Sequence, residues 1–173
     1  ILAVLLGAVL TAIIQSSSVT VSIMVLLANQ GLMQMDICMF IILGCNIGAC
    51  TSAVLASLTG KKDAKRAAAI HLIFNIIGTI IVYILFLFGV HKFVEILTMI
   101  AGDNPGRVVA YAHISIKVFQ VIIMMPFIKG IVKLTYLCVP GNDKKVGYRD
   151  SYQLKYIGEK VVLNPATAVV EVI

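Results

Sequence analysis

The sequence predicts an all-α membrane protein made of a re-entrant helical hairpin plus about three transmembrane helices, one of them broken. Three observations carry this. Of 173 residues, 60% are hydrophobic and only 13% charged, where a soluble domain carries about 25% charged residues. Mean hydropathy is +1.02, more apolar surface than a water-soluble core hides. Long uncharged stretches are interrupted by compact polar runs rather than by loops. Disorder, a collagen-like repeat and a disulfide-stapled module are excluded by the same composition. The chain opens inside an apolar run at Ile1-Leu2-Ala3-Val4, so it reads as a fragment.

The elements follow in order. Residues 1–35 contain no charge, too long a stretch for one ordinary span of about 20 residues. Their centre is polar: Gln15-Ser16-Ser17-Ser18, with Thr11, Thr20 and Ser22 around it. Two short apolar arms meeting at a polar tip predict a re-entrant hairpin over residues 1–30, with a single tilted helix as the alternative. Residues 36–59 form a second apolar stretch, broken by Gly44-Cys45-Asn46-Ile47-Gly48-Ala49-Cys50-Thr51-Ser52. Helices over 66–91 and 107–138 follow, separated by the turn Asp103-Asn104-Pro105-Gly106. Phe93 to Ala101 is expected to be a short interfacial helix, and Pro126 to kink or end the last span. Pro140-Gly141-Asn142-Asp143 ends the membrane part. Residues 140–173 read as a cytoplasmic linker and the start of a further domain, extended or loop-like over 154–163, with Pro165 opening a helix.

Charge reports topology. The net charge of +6 comes largely from residues 61–66 and 129–160, which flank apolar spans as the positive-inside bias requires. Both clusters, and the C-terminal tail, are therefore placed in the cytoplasm. Nucleic acid is excluded as a partner on the same ground, and the lipid bilayer is the expected surroundings. Cys38, Cys45, Cys50 and Cys138 show no metal-ligand spacing and read as small hydrophobes. Neither a phosphate-cradling glycine loop nor a GxSxG elbow occurs, and the spans hold no acid to complete a triad. The chain does not read as an enzyme, and no cofactor is expected.

The polar runs carry the chemistry. Three hydroxyls and a primary amide are costly in hydrocarbon unless they have partners. Beside the free N–H groups at the start of the hairpin's second arm, they suit an oxyanion such as phosphate. The structural alternative is that each Ser bonds back to its own helix. Unwound carbonyls, the Asn46 amide oxygen and the Ser52 hydroxyl would suit an alkali cation; glycine-mediated helix packing with Asn46 bonded across helices is the other reading. His71 and Asn75 share one helical face and are expected to hydrogen-bond between helices. Lys117, in mid-span, needs either an ion-pair partner or a wet substrate path.

Gln15-Ser16-Ser17-Ser18, followed about 30 residues later by Gly44-Cys45-Asn46-Ile47-Gly48, resembles the bacterial sodium–phosphate cotransporter family, related to the animal type II sodium–phosphate cotransporters. His71, Phe74 and Asn75 match that family's following helix. Leu163-Asn164-Pro165-Ala166 is similar to the junction into a PhoU-like helical domain. The resemblance covers residues 1–139 and implies half of an inverted-repeat transporter, the second repeat, in the inner (cytoplasmic) membrane. It implies sodium as coupling ion, inorganic phosphate as substrate and an upstream repeat as partner. Gln15, Ser16, Ser17 and Ser18 carry over as phosphate contacts, and Gln15, Asn46, Thr51 and Ser52 as sodium contacts. Two positions depart from the pattern: Ala49-Cys50 stands where Thr-Thr is usual, and Lys117 where Asn is more typical. A transporter of another oxyanion, an exporter on the same architecture and a membrane-bound phosphate sensor are the alternatives.

Overall fold

A computed structural model describes residues 1–141, and these form one unit of packed helices. The expectations for the linker beyond Gly141, for 154–163 and for Pro165 lie outside the described residues. Helix α1 (Leu2–Ile14) and helix α2 (Ser17–Asn29) are joined only by Gln15 and Ser16. Each has thirteen residues and is about 20 Å long, short of the roughly 30 Å of a bilayer's hydrocarbon core. Helix α3 (Met35–Gly48) is followed by α4 (Cys50–Ser57), then α5 (Lys62–Ala101) and α6 (Pro105–Met124). A 3-10 turn (Met125–Phe127) leads into α7 (Ile128–Cys138). Three helical stretches are long and apolar enough to cross a membrane: Met35–Ser57, Lys62–Ala101 and Pro105–Cys138.

Helix α3 is the centre of the unit. Cys38, Met39 and the unbroken run Ile41–Asn46 are buried, because α1, α2, α5 and α6 all pack against it. Small residues permit the α1 approach. A methyl group added at Gly44 would lie 2.7 Å from the Ala8 backbone nitrogen, and one at Gly48 would lie 2.8 Å from Thr11 Cβ. Both are closer than side chains tolerate. Phe40 meets Tyr83 and Phe86 edge-on, at 5.6 and 6.0 Å between ring centroids, fixing α3 against α5. The outward faces of α1, α5 and α6 carry Leu2, Leu5, Ile13, Phe88 and Ile122 exposed, as lipid contact requires.

Two expectations are corrected. The helix expected over 66–91 runs instead from Lys62 to Ala101 without interruption, forty residues and about 60 Å. Phe93–Ala101 is therefore no separate interfacial helix. It contains no proline, and its inward side is core: Leu97 and Ala101 are buried, and the Phe93 ring packs at a tilt against Phe86, 5.1 Å between centroids. The break in the second span is also slighter than expected. It is confined to Ala49, which keeps right-handed helical angles and whose N–H still bonds to Cys45 O at 3.0 Å. Pro126 acts as its chemistry demands, since α6 stops at Met124 and the chain tightens into the 3-10 turn.

Arg66 has a role beyond topology. It is 7% exposed, pairs with Asp63 at 2.9 Å and donates from Nε to Val139 O at 3.2 Å and from Nη2 to Gly141 O. Its guanidinium lies 4.2 Å from the centroid of the Tyr136 ring. The start of α5 is thus clamped to the end of α7. At the opposite end of the unit, Asp36 faces His91 at 2.8 Å and Asn29 Oδ1 accepts from Gly106 N–H at 2.7 Å.

Candidate functional site: the hairpin tip and the α3–α4 junction

The polar tip is a helix–turn–helix junction. Gln15 ends α1 in the left-handed conformation, φ 58°, with its N–H bonded to Thr11 O. A long side chain there costs strain, and it reverses the chain in two residues. Ser16 is extended and caps α2, its Oγ accepting from Val19 N–H at 3.4 Å. The cap leaves the N–H groups of Ser17 and Ser18 at the positive end of the helix. Gln15 and Ser18 are exposed, Ser16 and Ser17 half-buried. All four sequence-predicted anion contacts therefore sit on one turn.

Two buried threonines hold that turn. Thr11 Oγ1 donates to Thr20 Oγ1 at 3.1 Å, and Thr20 Oγ1 donates to Ser16 O at 3.2 Å. Thr11 also lies against Gly48, so the same residue ties the tip to the α3–α4 junction. In the sequence they were only polar surroundings of the Ser run. Ser22, one turn further along, bonds back to Ser18 O at 2.9 Å. That is the structural alternative, realised at Ser22 rather than in the tip.

The predicted cation contacts are distributed differently. Asn46 is fully buried; its Nδ2 donates to Gln120 Oε1 at 3.1 Å, while its Oδ1 is buried without a hydrogen-bond partner. Thr51 is half-buried and lines a groove of about 380 Å³ with Ala8, Ala12 and Gly48. Ser52 is exposed and bonds back to Ala49 O at 3.3 Å. Gly44 and Gly48 serve helix packing, and Asn46 bonds across helices, as the second sequence reading had it. Asn46 Oδ1 is the oxygen that this packing leaves free.

Gln120 was missed by sequence reasoning. It is 2% exposed and joins three helices, accepting from Asn46 and donating from Nε2 to Phe74 O at 3.3 Å and Asn75 Oδ1 at 3.5 Å. The signal was present, as a lone amide among Val118, Phe119, Val121 and Ile122, the same pattern that drew attention to Asn46. Asn75 also donates to His71 O at 2.9 Å. The His71 side chain is exposed, so of the two only Asn75 bonds between helices. Cys50 Sγ reaches Asn46 O and His71 O, at 3.4 and 3.7 Å.

Comparison with known proteins bears on the family of the chain. A family model described as Na+/Pi-cotransporter matches residues 1–102. The chain is 35% identical to the uncharacterized protein YqeW of Bacillus subtilis over 140 residues, which is 81% of this chain and 44% of that protein. It is 41% identical over 87 residues to human sodium-dependent phosphate transport protein 2C, covering 48% of this chain and 14% of the relative. Bovine sodium-dependent phosphate transport protein 2B is 41% identical over 86 residues, 47% of this chain and 12% of its own length. The chain thus spans less than half the length of these relatives. No solved structure matches it significantly.

Proposed function

This chain belongs to the Na+/Pi-cotransporter family, and from that premise we propose that it supplies one of two repeats of a sodium-coupled phosphate transporter in the cytoplasmic membrane. The observation that carries this is the α1–α2 hairpin. Its arms are too short to cross a bilayer, yet they meet at four polar side chains and an amide-bearing helix start. Such a hairpin enters and leaves by the same face, which makes it re-entrant. A bare polar tip at membrane depth is tolerated where it meets protein or a water-filled cavity.

Gln15, Ser16, Ser17 and Ser18 contact phosphate in this reading, the hydroxyls donating to its oxygens beside the α2 amides. Asn46 Oδ1, Thr51 and the Gln15 carboxamide are the oxygens offered to sodium, with Ser52 at the edge of that set. An inverted partner repeat provides the remaining ligands, consistent with the groove lined by Thr51 and with relatives more than twice as long.

The test is radiolabelled phosphate flux into liposomes holding the intact protein, with and without an inward sodium gradient. Uptake driven by sodium is expected, and Ser17→Ala should weaken phosphate affinity ten- to hundred-fold, since a hydrogen bond to a charged group contributes about 1.5–3 kcal/mol. Phosphate binding without flux would favour a sensor instead. Unchanged affinity in Ser17→Ala and in the matching Gln15, Ser16 and Ser18 variants would remove the tip from the site.

A further inference from the structure

We infer that Lys117 supplies the positive charge of the anion site at the tip of the α1–α2 hairpin; this deepens, and rests on, the reading of that tip as a phosphate site. Residues 1–35 hold no charged side chain. The tip therefore offers hydroxyls, an amide and backbone N–H groups, but no cationic side chain to offset the charge of a phosphate leaving water.

Helix register puts Lys117 level with it. Helix α2 packs along α6, and the end of α2 is pinned to the start of α6 where Gly106 N–H meets Asn29 Oδ1. Eleven residues back along α2 from that contact is Ser18, and eleven residues on along α6 is Lys117. At about 1.5 Å per residue, both lie at the same level, roughly 16 Å from the pin.

Lys117 is also uncompensated. It is half-buried in the middle of a spanning stretch. Among the described residues the ion pairs are Arg66 with Asp63 and His91 with Asp36, neither of which involves it. A lysine held in a membrane span without a carboxylate is costly unless it faces a cavity or an anionic ligand. Here the group that would receive the charge is a tetrahedral oxyanion, for which a lysine acts as a compact point charge.

The experiment compares Lys117→Met, Lys117→Arg and Ser17→Ala in the intact protein. It measures affinity for inorganic phosphate, and thermal stability without phosphate. Lys117→Met should lose at least tenfold in phosphate affinity, with a melting temperature unchanged or raised because an unpaired charge has been removed from the span. Lys117→Arg should recover most of the affinity. Lys117→Cys, made with the native cysteines replaced, should regain phosphate binding after aminoethylation and be protected from that reaction by phosphate.

Wild-type affinity in Lys117→Met, alongside a weakened Ser17→Ala, would overturn this inference and leave the phosphate-site reading standing. Equal loss in the Met and Arg variants with lowered melting temperatures, or a Met variant that fails to assemble, would make Lys117 structural and also overturn it. Wild-type protein that binds no phosphate would remove the underlying reading itself.

Discussion

Replacing Gly44 by alanine should separate α1 from α3 and destabilise the site that they jointly hold. The new methyl would lie 2.7 Å from Ala8 N and 2.9 Å from the Val4 carbonyl carbon, with Val4 O closer still. Ordinary contact begins near 3.4 Å and Val4 O is the nearest obstacle, so the helices must part by at least about 1–1.5 Å. The obstacles are backbone atoms of α1, which cannot turn aside as a flexible side chain can. Inserting a methyl into a packed core costs about 1–3 kcal/mol, and a backbone obstacle puts Gly44→Ala at the upper end. Gly89→Ala is the internal control. Nothing lies within 4 Å of a methyl at Gly89, and in a helix interior alanine gains up to about 1 kcal/mol over glycine. Thermal unfolding of both variants in the same detergent should show Gly44→Ala melting at least about 5 °C below wild type, and Gly89→Ala at or above it. Phosphate affinity should fall only in the first, because Thr11, on α1, holds the tip. Equal stability of the two variants would refute the close α1–α3 packing.

Three further outcomes are expected. Gln120→Leu leaves the Asn46 carboxamide without its acceptor in the core and should cost about 1–3 kcal/mol, read as a lowered unfolding midpoint; a neutral result would mean that the amide cluster is not closed as described. Ala49→Thr adds a hydroxyl at the α3–α4 interruption and should raise apparent sodium affinity fewfold to tenfold, about 1 kcal/mol, moving phosphate affinity only through coupling. Unchanged sodium dependence would assign Ala49 to packing. A cysteine placed at exposed Asp103 should react with an impermeant thiol reagent from outside intact cells and one at Lys62 should not, whereas the reverse pattern would invert the topology.

The sequence by itself determined the class of protein, because uncharged length and mean hydropathy report transfer into lipid without reference to partners. It also located the tip. Four consecutive polar residues inside an apolar run have few uses, and Ser16 is a helix cap by its own chemistry. Pro126 likewise acts locally, through the N–H it lacks. Tertiary structure decided what depends on neighbours. Whether Gly44 and Gly48 free carbonyls or admit another helix turns on what lies opposite, and it is the backbone of α1. Phe93, Leu97 and Ala101 look like an interfacial helix until Phe86 and the core are placed beside them. Gln120 and Asn46 stand 74 residues apart, and no local pattern links two amides that satisfy each other only across a packed interface. Arg66 reads as a topology charge in one dimension; the carbonyls of Val139 and Gly141 reach it only once α7 has folded back. Local chemistry fixes caps, kinks and depth, whereas pairing of buried polar groups is a property of the assembled core.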